Sequence, residues 1–124
     1  MALVGRYRLP KAARLRRRVE FLAVQRHGRR RRGRFLVVIA APGPASRSRL
    51  GITVSRKVGC AVVRNRIKRL VREALGLGQY SAPPGLDLVV VARKEARHAT
   101  LAEVQLELHR AFRAWGGPRQ DEVP

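Results

Sequence analysis

The sequence predicts an α+β fold, a two-layer sandwich of helices on a small sheet. Three segments repeat apolar residues at helical spacing, and three others are short runs dense in branched apolar residues. The two kinds do not alternate as a strict βαβ chain requires. With 124 residues and 45% hydrophobic content, the chain can build one core but not two. The expected organisation is a flexible basic arm over residues 1–13, one domain over 14–116 and a disordered tail over 117–124.

From Arg14 to Gly28, Leu15, Val19, Phe21, Leu22 and Val24 recur at helical spacing. Gly28 is placed to end this first helix in the left-handed conformation. After the basic run Arg29 to Gly33, the residues Phe35, Leu36, Val37, Val38 and Ile39 have the branching and length of a buried strand. Pro42 to Ser48 reads as a loop and Leu50 to Ser55 as a second strand, so the pair suggests a hairpin. Val63, Ile67, Leu70, Val71, Ala74 and Leu75 form the stripe of a second helix, stopped by Gly76 and Gly78. Pro83, Pro84 and Gly85 turn the chain into a third strand, Leu86 to Ala92. Thr100 and Glu103 then make a T-x-x-E capping box. It opens a third helix with Leu101, Val104, Leu108, Ala111, Phe112 and Trp115 on one side, closed by Gly116.

Lys and Arg number 28 against 8 Asp and Glu, a formal net charge of +20. Self-repulsion at this charge opposes a compact state, and a polyanion that sheds its counterions relieves it, which makes nucleic acid the expected partner. No membrane is expected: Phe35 to Ala41 and Leu86 to Ala92 fall far short of the roughly 20 apolar residues of a spanning helix. No secretory apolar segment follows the first Met. The single Cys60 cannot form an internal disulfide, so the expected compartment is the cytoplasm.

Ser55-Arg56-Lys57-Val58-Gly59 leads into the second helix, which carries Arg64, Asn65, Lys68, Arg69 and Arg72 opposite its apolar stripe, with Arg66 at the flank. Only Glu73 interrupts this rail. Guanidinium forks match phosphate oxygens, so such a rail can follow a sugar-phosphate backbone, although charge alone does not separate DNA from RNA. Arg29, Arg30, Arg31, Arg32 and Arg34 form a second basic cluster. His27, His98 and His109 lack metal-binding spacing and are expected on the surface, with no metal site in the protein. Glu103 and Glu107, four residues apart, are assigned to the solvated side of the third helix. A protein nuclease needs a carboxylate cluster or a histidine acid/base pair, whereas here the only aspartates are Asp87 and Asp121.

The string S-R-K-V-G-x-A-V-V-R-N-R-I-K-R-L-V-R-E, Ser55 to Glu73, closely resembles the signature of the bacterial ribonuclease P protein family, whose hallmark is an R-N-R core entering a basic helix. Leu9, Pro10, Arg14, Leu15, Glu20, Phe21, Gly28, Gly33 and Arg34 resemble that family's opening, as does V-V-V-A-R-K at Val89 to Lys94. The resemblance spans roughly Leu9 to Trp115. It implies about four strands with three helices and a left-handed βαβ crossover, against the usual handedness.

The resemblance also implies a function. The chain would be the monomeric protein subunit of a ribonucleoprotein endoribonuclease that removes the 5′ leader from precursor tRNA. The catalytic site and its Mg²⁺ would belong to the RNA, with no cofactor on the protein. Arg56, Lys57, Arg64, Asn65, Arg66, Lys68, Arg69 and Arg72 would face the catalytic RNA. A cleft of Phe21, Gln25, Val37, Ile39 and Thr53, with Arg64, would hold the leader. Family members often carry aromatic rings where Gln25 and Ile39 stand, so binding here leans on Phe21 and on charge. A ribosomal-type or chaperone-type basic RNA-binding protein is the alternative, opposed only by the R-N-R string. A cationic membrane-surface peptide is disfavoured, because the apolar strands demand a folded core.

Overall fold

A computed structural model describes residues 14–44, 48–77 and 85–115. The expected arm and tail, Gly78, Pro83, Pro84 and Gly116 lie outside the described residues. In chain order come α1 (Arg18–His27), β1 (Arg29–Arg32), β2 (Leu36–Pro42), β3 (Arg49–Thr53), α2 (Ala61–Leu77), β4 (Leu86–Ala92), a 3₁₀ turn (Lys94–His98) and α3 (Leu101–Ala114). Three helices thus pack on one four-stranded mixed sheet of order β1-β2-β4-β3.

β4 is the organising strand. It pairs antiparallel with β2 and parallel with β3, and its run Leu88, Val89, Val90 is buried on both faces, which is why it reads as continuously apolar rather than alternating. On one face, Leu36, Val38, Leu88, Val90 and Leu50 meet Ile67 and Val71 of α2 and Val104, Leu108 and Phe112 of α3. On the other, Ile39, Ala41 and Val89 pack with Val24 of α1 and with Leu15 in the segment that precedes it. The parallel pair β3 and β4, joined through α2, is the crossover connection.

Several expectations change. β2 and β3 are not a hairpin, because β4 lies between them. The run Arg29–Arg32 is itself a strand, pairing antiparallel with β2. The first helix starts at Arg18 rather than Arg14, since Arg14 bridges Leu50 beside β3 and Leu15 N–H donates to the Leu50 carbonyl at 2.9 Å. Its stripe is narrower than expected, with Val19 65% exposed. Gly28 is extended, at φ −82° and ψ 162°, not left-handed. What excludes a side chain there is space: a Cβ would lie 2.5 Å from the Val24 carbonyl oxygen and 2.6 Å from Ile39 Cγ2. Gly76 does not stop α2, which runs through it to Leu77. The Thr100 box forms as expected, with Glu103 N–H donating to Thr100 Oγ1 at 3.2 Å and Thr100 N–H to Glu103 Oε1 at 2.9 Å.

Polar clasps join elements distant in sequence. Glu107 of α3 accepts the N–H groups of Phe35 at 2.8 Å and Leu36 at 3.0 Å, so it is a structural ligand of the β1–β2 turn and not a solvated carboxylate. Arg93 holds the same turn through the Gly33 and Arg34 carbonyls, at 2.7 and 3.1 Å. Arg49 grips Asp87 with both arms of its fork, Nε to Oδ1 at 2.8 Å and Nη2 to Oδ2 at 2.7 Å, and reaches Glu20 at 3.0 Å. Asp87 is 7% exposed, and removing the cation would strand its charge. Arg49→Ala should therefore cost about 3 kcal/mol of unfolding free energy in urea titration; a loss below about 1 kcal/mol would show that the clasp does not hold β3, β4 and α1 together.

Candidate nucleic-acid interface

α1 is fixed over the sheet at both ends. At its start, Glu20 Oε1 accepts the N–H groups of Arg16 at 3.2 Å and Arg17 at 3.1 Å, while Oε2 takes Arg49. The Arg17 and Arg16 backbone donors, followed by the Arg49 guanidinium, hold the Glu20 carboxyl below its usual range. At its end, the bare Gly28 lets the chain pass tightly over Ile39. Between them the Phe21 ring lies on Gly51 of β3, where any Cβ would sit 2.5 Å from ring atoms Cε2 and Cζ.

A recess of about 410 Å³ opens beside this contact, lined by Arg16, Arg18, Phe21, Leu22, Gln25, Ile52 and Thr53. The expected cleft residues Phe21, Gln25 and Thr53 therefore come together. Val37 is half-buried nearby on the same sheet face, two strands away from Thr53. Ile39 does not line the opening: it is 0% exposed, sealed beneath α1. Arg64 is not in the recess lining either; it donates to the Gly59 carbonyl at 2.9 Å and braces the loop before α2.

On α2, Asn65, Arg66, Arg69 and Arg72 are exposed and Arg64 and Lys68 half-buried, opposite the fully buried Ile67 and Val71. Arg66 leaves the rail and donates to the Arg97 carbonyl in the 3₁₀ turn. Arg56 and Lys57 stand exposed in the preceding loop. Arg69 and Arg72 make no ion pair among the described residues, which leaves them available to phosphate. Cys60 is exposed just ahead of α2, and the N–H groups of Val63 and Val62 hold its thiol below the usual range.

The second cluster is a built element. Arg29, Arg30, Arg31 and Arg32 are all exposed on β1, Arg30 donates to the Gln25 carbonyl at 2.9 Å, and the Arg34 guanidinium lies 5.1 Å from the Phe35 ring centroid. Sequence reasoning missed the Glu20, Asp87 and Glu107 clasps; their partners lie up to 72 positions away, and no local pattern announces them. Among the described residues no three His, Cys, Asp or Glu side chains gather as a metal site, and no helix is long and apolar enough to cross a membrane.

Comparison with known proteins decides among the basic-protein readings. The sequence pattern of the family described as Ribonuclease P matches residues 9–116. The chain belongs to the ribonuclease P protein family. It is 49% identical over 107 residues to the ribonuclease P protein component of Desulfovibrio desulfuricans, covering 83% of this chain and 82% of that one. A mutant RNase P protein of Staphylococcus aureus superposes with a TM-score of 0.77 at 31% identity, covering 86% of this chain and 91% of that one. The Thermotoga maritima RNase P protein gives 0.74 at 33%, covering 82% and 96%. The alternative of a ribosomal-type or chaperone-type protein is set aside.

The α1 tether gives a ribonuclease P protein of this sequence an acid-sensitive contact. Because the folded Glu20 carboxyl ionises below the ordinary glutamate value, its stabilisation is complete above about pH 4.3 and is lost as pH falls through the lower folded value. Glu20→Gln should lower the neutral-pH melting temperature and flatten the further loss between about pH 5 and about pH 3. An acid-side slope identical to that of the unaltered protein would contradict the assignment.

Proposed function

We propose that the chain is the protein subunit of a cytoplasmic ribonuclease P holoenzyme. It binds the catalytic RNA along α2 and the 5′ leader of precursor tRNA in the α1–sheet cleft, and so assists endonucleolytic removal of the leader. The observation that carries this reading is the separation of two unlike surfaces. α1, with a partly apolar recess, packs on one sheet face, while α2, with an exposed arginine rail, packs on the other. A half-exposed ring and a hydroxyl suit unstacked bases, and the rail suits phosphates whatever their sequence.

The chemistry is assigned to the RNA and its Mg²⁺. What supports this is the employment of the carboxylates: Glu20 and Asp87 clasp Arg49, Glu103 caps α3 and Glu107 holds the β1–β2 turn. Hydrolysis of the leader phosphodiester then draws on the protein for affinity, by positioning substrate and by neutralising phosphate repulsion that would otherwise require more Mg²⁺.

Two substitutions separate the surfaces. Arg69→Ala should weaken binding to the catalytic RNA and reduce the log-log salt slope by about 0.7 to 0.9, measured by filter binding across a salt series; an unchanged slope would remove α2 from the interface. Phe21→Ala should leave that affinity nearly unaltered but reduce the holoenzyme's preference for leader-bearing over mature tRNA by about 1 kcal/mol or more. Lost stability with the preference intact would make Phe21 a core residue only.

A further inference from the structure

The cleft floor continues further than the recess. Thr53 of β3 pairs with Val91 of β4, Val91 with Val37 of β2, and Val37 with Arg32 of β1. The register therefore lays one row across all four strands, about 14 Å wide at about 4.8 Å per strand, and alternation points it to the α1 side. This row lies one step beyond the row Gly51, Val89, Ile39 that α1 covers. Thr53, Val91 and Val37 are half-buried, whereas Arg32 is fully exposed. At the β3 end, the recess is flanked by Arg16 and Arg18. An RNA strand laid along the row thus meets cations at both ends, with a nearly apolar floor between.

The basic surface does not stop at the row. β1 has a neighbour on one side only, and alternation turns Arg31 to the opposite sheet face. There it lines, with Arg34 and Arg110, a second recess of about 250 Å³ that Arg32, at the end of the row, borders as well. Glu107 also lies in that recess, but its two oxygens are occupied by the Phe35 and Leu36 N–H groups. Arg31, Arg32 and Arg110 make no ion pair among the described residues. Pairing of the free edge with another strand is opposed by four consecutive charged side chains. A second copy of a +20 chain fits worse still.

We propose that the arginine edge strand β1 binds the backbone phosphates of leader nucleotides lying beyond the cleft, carrying the leader over the sheet edge onto Arg31 and Arg110. The protein would then respond to leader length. The inference rests on the leader reading above. β1 supplies phosphate contacts, so the extension is salt-sensitive and indifferent to base identity.

The test uses holoenzyme reconstituted with a bacterial ribonuclease P RNA and precursor tRNAs with no leader, a leader of roughly 4 nucleotides and one of roughly 12, the range occupied by single-strand-binding domains. Affinities are compared for the unaltered protein, the double variant R31A/R32A and the charge-preserving R31K/R32K, with melting temperatures confirming the fold of each. The unaltered protein should gain affinity from the short to the long leader. R31A/R32A should lose most of that gain, several-fold in Kd, and about 1.4 units of log-log salt slope on the long leader; R31K/R32K should keep the slope. A double variant that follows the unaltered protein at every length overturns the proposal, as does equal weakening with and without a leader, which would assign β1 to another RNA surface. If the unaltered holoenzyme binds leaderless and leader-bearing tRNA equally, the leader reading itself fails, and the two failures are thereby distinct.

Discussion

The contact on which the rest depends is the Arg49 clasp. One guanidinium joins the edge strand β3 to the central strand β4 through Asp87, and both to α1 through Glu20. Asp87 and Glu20 sit on elements that no backbone ladder connects directly, so without Arg49 the position of α1 would rest on the apolar contacts of Phe21 and Val24, on the Leu15 N–H bond to Leu50 ahead of the helix and on the close passage of Gly28 over Ile39. In a chain with only 8 acidic residues against 28 basic ones, the placement of each carboxylate matters. Those at Glu20, Asp87, Glu103 and Glu107 are engaged by an arginine or by backbone N–H groups, and the outer surface is left overwhelmingly positive.

That division shapes the two sheet faces. The α2–α3 face holds the larger core, with Phe112, Leu36, Ile67, Leu88 and Val71 sealed within it, so it can bear an exposed arginine rail on the outer side of α2. The α1 face carries a smaller cluster and is only partly covered, which leaves Thr53, Val37 and Val91 half-open. Gly51 and Gly28 set the height of α1 above that face, because a side chain at either position would push the helix or its ring away. The recess thus follows from where small residues stand beneath a tethered helix.

The sequence made some of this legible. β4 matched its expected bounds, and the α3 capping box formed from Thr100 and Glu103, because both signals are local: a branched apolar run, and a cap three residues from its partner. The false hairpin arose because a Pro and Gly loop after β2 looks the same whether the next strand pairs with β2 or lies one strand further off. β1 escaped notice because four arginines carry no apolar period; the strand exists through its pairing with β2 and through the turn that Glu107 and Arg93 hold. Gly28 was assigned a backbone role when its constraint is crowding against Ile39, a residue on another element. For the site, spacing gathered the rail on α2, but it could not foresee that Arg64 braces Gly59 and Arg66 turns to Arg97. Nor could alternation along β2, which separates Ile39 from Val38, tell that α1 seals Ile39 and leaves Val37 open.

The central claim is that the α1 recess and the α2 rail address different RNAs, and proximity within the assembled complex tests it most directly. Thr53→Cys and Lys68→Cys, each in a Cys60→Ser background so that one thiol is present, can be coupled to a short photoreactive aryl azide and assembled with the catalytic RNA and a precursor tRNA. The account predicts that the probe at position 53 crosslinks to the tRNA leader and the probe at position 68 to the catalytic RNA. Crosslinking of both probes to the same RNA, or exchange of the two targets, would contradict it.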